Sequence, residues 1–195
     1  MLNYPLKLSF KIATIGTRVR VVDAAGRRVA YLRRKKFRLK EDVRVYDDED
    51  QKRQLFRIRA DRLVDFGASY AVSGPDGRTL GAVRQRGVHS LWKSTYEVAD
   101  AHGKMIGVIH EENPFVKVLD SLAEALPFAD ALGGLFFNPA YLVDLGGETV
   151  LRMQKERSVF ESGFRLEKSG DFSEDEEELV LASLMMVLLL ERDRG

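Results

Sequence analysis

The chain contains no cysteine. That absence excludes a disulfide framework, a thiolate nucleophile, a cysteine zinc site and a thiol-linked lipid anchor. It suits a reducing compartment, so the expected location is the cytoplasm. Histidine is scarce as well. His89, His102 and His110 are scattered, and without cysteine they make no metal-ligand spacing. No uninterrupted apolar run approaches the roughly 20 residues that cross a bilayer. In the opening MLNYPLKLSFKIATIG, Lys7 and Lys11 break up what would have to be the apolar region of a secretory signal. Motif chemistry is missing too. Ser90, Ser94 and Thr95 lie near His89 but outside any G-x-S-x-G elbow, and GPDGRTLG is a turn sequence with no G-x-x-x-x-G-K-[ST] phosphate loop. The expectation is a protein without catalytic residues, cofactor or resident metal.

Net charge is nearly absent at +1, yet this balance hides an asymmetry. Residues 1–110 carry 23 Lys/Arg against 12 Asp/Glu, and residues 111–195 carry 8 against 18. The molecule is polarised if the two halves occupy different faces. With 45% hydrophobic and 31% charged residues, the composition is that of a folded globular chain. At 195 residues it fits a single domain, 1–195, able to bury roughly 70% of its unfolded surface.

One pattern recurs along the chain: an extended apolar run, a short Asp/Gly turn, and a second extended run ending in charge. RVRVVDAAGRRVAYLRR, YAVSGPDGRTLGAVRQR, YEVADAHGKMIGVIHEE and YLVDLGGETVLRMQKE are four copies. VRVYDDEDQKRQLFRIRAD is a fifth, acidic and without glycine. Gly26, Gly77, Gly103 and Gly147 follow Asp23, Asp76, Asp100 and Asp144, as expected where a hairpin needs positive φ. The flanking runs alternate with period two. Leu6, Leu8, Phe10 and Ile12 fall on one face against Lys7, Ser9 and Lys11; Phe56, Ile58 and Ala60 oppose Arg57, Arg59 and Asp61. Each copy is a β-hairpin, and about twelve antiparallel strands follow, a number that must curl or close.

Two segments break the alternation. Residues 113–140 show helical spacing at Phe115, Val118, Leu119, Leu122 and Leu126, and predict a short helical insertion that Pro127 ends or kinks. Leu179 to Leu190 holds twelve residues of which only Ser183 is polar, so a helix there has no face for water. At 1.5 Å per residue it spans about 18 Å, too short for a bilayer about 30 Å thick. It matches a closed wall of eight-residue strands tilted about 40°, roughly 20 Å tall. The expected fold is mainly β: a β-barrel closed around a central C-terminal helix, residues 173–192. Ser173 or Asp175 caps the helix, and acidic residues fill its first turn.

Repeated hairpins followed by one apolar C-terminal helix resemble the tubby C-terminal and phospholipid scramblase-like superfamily, most nearly its LURP-one-related branch. The carriers are the V-x-D-x-x-G hairpins, RRKKFRLKEDVRVYDDED, GVHSLWKSTYEVADAHG and the acidic lead into LVLASLMMVLLL. The resemblance covers nearly the whole chain and implies a twelve-stranded barrel around a central helix. Tubby-like domains bind phosphoinositide head groups through basic residues, whereas scramblases act on membrane lipids with calcium. This chain lacks the cysteine cluster and proline-rich N-terminal region of the scramblases.

Three groups of residues are candidate sites. Arg33, Arg34, Lys35, Lys36, Arg38 and Lys40, with Lys52, Arg53, Arg57 and Arg59, form either a solvated strand edge or a surface for anionic lipid such as a phosphoinositide. Leu132, Leu135, Phe136, Phe137 and Tyr141 form either a cover over one barrel end or a surface that docks a partner protein or a membrane interface. Asp171, Ser173, Asp175 and Glu177 precede the last helix as weak calcium candidates, although they lack the loop glycine and terminal Glu of an EF-hand. Trp92 and Tyr96 read as packing aromatics. Nucleic acid is a poor fit, because no aromatics interleave with the cations. The function this predicts is a non-enzymatic module held peripherally on anionic lipid, with a soluble interaction scaffold as the alternative.

Overall fold

The computed structural model describes residues 1–13, 16–35, 42–60, 68–86, 95–112, 140–156 and 162–192. Twelve strands run in chain order: β1 (Leu6–Ala13), β2 (Gly16–Val22), β3 (Arg28–Lys35), β4 (Asp42–Tyr46), β5 (Gln54–Ala60), β6 (Ser69–Ser73), β7 (Thr79–Gln85), β8 (Thr95–Asp100), β9 (Met105–Glu111), β10 (Ala140–Leu145), β11 (Glu148–Glu156) and β12 (Ser162–Lys168). One helix follows, α1 (Glu174–Arg192). Each strand pairs antiparallel with its sequence neighbour, and β1 pairs with β12, with Leu6 opposite Leu166 and Leu8 opposite Phe164. The result is a closed up-and-down barrel with no free sheet edge.

The recurring hairpin has a common construction. The Asp23 carboxylate accepts the backbone N–H groups of Ala25 and Arg27 at 2.9 and 2.8 Å, while Gly26 N–H donates to the Asp23 carbonyl. Asp100 repeats this with His102 and Lys104, each at 2.9 Å, and Gly103 donates back to its carbonyl. The glycine of each turn sits at positive φ, 76° at Gly26 and 79° at Gly103, a region L side chains rarely occupy. In the fifth copy Gln51 holds this place at φ 57°. Val21, Val45, Val72, Val98 and Val143 occupy equivalent positions before the turns. A register shift follows each of them, and all five are 0% exposed. The extra residue of each bulge strengthens local twist where the wall must curve.

Antiparallel alternation sends all these turns, the N-terminal residues and the start of α1 to one rim. The strand ends flanking residues 36–41, 61–67, 87–94, 113–139 and 157–161 lie on the other. The helical insertion expected at 113–140 therefore falls outside the described residues, except that Ala140 begins β10.

Within the wall, α1 is buried on every side from Leu179 to Leu190. Ser173 opens it with a capping box: Glu176 N–H donates to the Ser173 hydroxyl at 3.3 Å, and Ser173 N–H donates to the Glu176 carboxylate at 2.7 Å. Four acidic residues occupy the first turn, where the helix dipole favours them. Ser183, at 0% exposure, donates its hydroxyl to the Leu179 carbonyl at 2.7 Å, so the one polar side chain of the apolar run is satisfied within the helix. A Cβ on Gly81 of β7 would lie 2.2 Å from the Ala99 carbonyl oxygen and 2.8 Å from Leu179, so the strand meets the helix where no side chain fits. Among the described residues no helix is long and apolar enough to cross a membrane.

Candidate anion-binding surface

Strand parity sorts the basic residues. On β2, Thr17, Val19 and Val21 are buried while Arg18 is exposed and Arg20 half-buried. Arg18 stands opposite Arg33 on β3, and Arg44 on β4 stands opposite Arg57 on β5. The register that sets Leu32 opposite Val45 brings Arg33 level with Arg44. Four arginines therefore form one row across four adjacent strands on the outer wall, about 14 Å long at the usual strand spacing. Arg59 lies in the next outward row, opposite Asp42.

Cross-strand like charges destabilise a sheet unless compensated, and compensation here is one-sided. Arg57 grips Asp42 with Nε and Nη2, both at 2.6 Å, and Arg44 lies 3.8 Å from the same carboxylate. The hydrogen bond from Arg57, aided by the charges of Arg57, Arg44 and Arg59 and opposed by partial burial, holds the Asp42 carboxyl below its usual range. At the other end of the row, Arg18 and Arg33 are exposed and have no carboxylate within ion-pair distance among the described residues. Three guanidinium groups are left with unused donors facing solvent, an arrangement suited to a phosphate or carboxylate surface.

Arg20 and Arg28, nearer the turn rim, are neutralised. Glu49, in the β4–β5 turn, pairs with Arg20 on β2, and Asp48 pairs with Arg28 on β3. This turn reaches across β3, which explains why Tyr31, pointing outward opposite Arg20 and Tyr46, is only 3% exposed.

The sequence-based candidates are thereby redistributed. Arg33, Arg57 and Arg59 share the outer wall, whereas Arg34 shares the inward face with Leu32. Lys35 ends β3, with its side chain outside the described residues, and Lys36, Arg38 and Lys40 also lie outside them. Lys52 and Arg53 belong to the β4–β5 turn at the opposite rim and do not join the row. Arg18 and Arg44 were missed by sequence reasoning. The alternation in RVRVV and VRV carries the signal, because the arginines there alternate with inward valines. Leu132, Leu135, Phe136 and Phe137 lie outside the described residues. Tyr141 faces inward on β10 beside Val143, 4% exposed, and so belongs to the core and offers no docking surface.

The calcium candidates do not converge. Asp171 lies 3.7 Å from Lys168, and Asp175 lies 3.2 Å from Arg78. Glu177 is turned inward to accept the Leu2 N–H at 2.9 Å, and Ser173 is the helix cap. Among the described residues no group of three or more His, Asp or Glu side chains is placed to hold a metal. The Nε2 of His110 sits 2.9 Å from the Asp144 carboxylate, which also accepts the Thr149 hydroxyl at 2.7 Å, and its Nδ1 lies 3.3 Å from the Glu111 carbonyl.

Fold and surface together define a closed up-and-down barrel with an axial helix and one arginine-lined wall. Comparison with family models, curated proteins and solved structures returns no match.

Proposed function

We propose that the protein is a non-enzymatic binding module of the LURP-one-related, tubby and scramblase-like type, one that associates peripherally with anionic lipid head groups at a cytoplasmic membrane surface. The observation carrying this reading is the outward row of Arg18, Arg33 and Arg44, exposed on adjacent strands, where the one carboxylate within ion-pair distance among the described residues is Asp42, beside the far end. The closed barrel with a buried terminal helix supports the family reading, since that is the fold the resemblance implies. Each cation close to an anionic membrane contributes about 1 kcal/mol, so three in register give binding of about 3 kcal/mol that weakens as salt shortens the Debye length.

Co-sedimentation with phosphatidylcholine vesicles doped with phosphatidylserine or phosphoinositide tests this. Wild type is expected to pellet at low salt and release at high salt. The triple variant Arg18→Gln, Arg33→Gln, Arg44→Gln is expected to lose binding while keeping its thermal midpoint, and Lys52→Gln with Arg53→Gln at the other rim is expected to retain it. Absence of wild-type binding at low salt, or equal binding by the triple variant, defeats the proposal.

A further inference from the structure

The β4–β5 turn lies over wall contributed by other strands, where it seals the outward-pointing Tyr31 to 3% exposure, and two observations mark this cover as held at a cost. The Nε of Arg20 is buried there without a hydrogen-bond partner among the described residues, so a guanidinium donor is dry and unused. Gln51 adopts φ 57°, a conformation the equivalent hairpins assign to glycine and one that strains a larger residue. Against these costs stand the burial of the Tyr31 ring and two ion pairs at the partly exposed surface, Glu49 with Arg20 and Asp48 with Arg28, the pairs being of the kind that contribute little and are screened by salt.

We propose that this turn is a displaceable cover: Asp48 and Glu49 occupy places on Arg28 and Arg20 that the phosphates of a multiply phosphorylated ligand take over. Displacement extends the Arg18, Arg33, Arg44 surface toward the turn rim and gives the buried Arg20 Nε an acceptor. A phosphate monoester carries up to two charges and three strong acceptor oxygens, so it outcompetes a single carboxylate for a guanidinium fork. A singly charged head group does not. The inference rests on the anionic-lipid reading above and adds selectivity to it, because the turn's own carboxylates repel weakly charged competitors.

The test compares wild type with Asp48→Asn, Glu49→Gln. Inorganic pyrophosphate is titrated calorimetrically, and vesicles doped with a bisphosphorylated phosphoinositide or with phosphatidylserine are titrated by co-sedimentation. The double variant is expected to bind the phosphorylated probes about tenfold tighter or more, since two cations near the surface are released. The gain should disappear when Arg20→Gln and Arg28→Gln are added. Tightening on both pyrophosphate and phosphoinositide vesicles identifies a head-group source, and tightening on pyrophosphate alone identifies a soluble phosphate source. If wild type binds and the variant binds no tighter, the cover is overturned and the arginine surface stands. If neither protein binds any probe, both fall.

Discussion

A helix enclosed by a barrel must be costly to trim in every direction, and alanine replacement along α1 tests this. Leu184, Met185, Met186 and Val187 are each 0% exposed, and at 3.6 residues per turn their side chains point in four directions about 100° apart. Replacing Leu184 by Ala removes three carbon groups, about 2.4 kcal/mol of transfer free energy at 0.8 kcal/mol each, and adds a cavity term. A total of about 3–4 kcal/mol follows, from a domain whose entire stability is of the order of 5–15 kcal/mol. The methionines should cost about 2–4 kcal/mol and the valine about 2 kcal/mol. For a domain of this size, 3 kcal/mol lowers the thermal midpoint by roughly 6–12 °C. Urea unfolding followed by circular dichroism gives the four values. An amphipathic helix resting on the outside of a sheet would give a different profile, with two costly positions and two neutral ones. Neutral substitution at any two of these four residues refutes the enclosed helix.

Gly81→Ala should destabilise by about 1–3 kcal/mol, because the new methyl has only the Ala99 carbonyl and Leu179 to displace; an unchanged midpoint would show that β7 and the helix are not so close. Burial, reinforced by the charge and hydrogen bond of Glu177, raises the Tyr4 phenol pKa well above its usual value. The neutral phenol is favoured when folded, so its contribution is complete below about pH 10, the unfolded value, and is lost as pH rises beyond it. Tyr4→Phe should therefore lose less stability than wild type in urea titrations above that pH, and a wild-type–variant difference that stays constant across it would contradict this.

Much of the architecture was legible because its causes are local. Period-two alternation puts Leu6, Leu8 and Phe10 inward whatever lies elsewhere. The Asp-x-x-Gly spacing builds its own turn from the Asp carboxylate and a glycine at positive φ. The unbroken apolar run from Leu179 to Leu190 can only be buried. The strand count and the closed wall follow from these features together.

The arginine surface was legible only in part, because its members are neighbours through register, a property of paired strands. Arg18 meets Arg33 and Arg44 meets Arg57 through pairings set by turn length and bulge position, and a shift of one residue in either would send the side chains to the opposite face. Parity likewise turned Tyr141 into the core and separated Arg34 from Arg33. Nothing along residues 47–53 announces that an acidic turn will fold across β3 to reach Arg20, since the contact depends on the curvature of a closed wall. The residue sequence by itself thus determined the elements and their wet and dry sides, through local stereochemistry and hydrophobic period. Tertiary structure alone decided which charges stand together and which are neutralised, because those distances exist only once the barrel has closed.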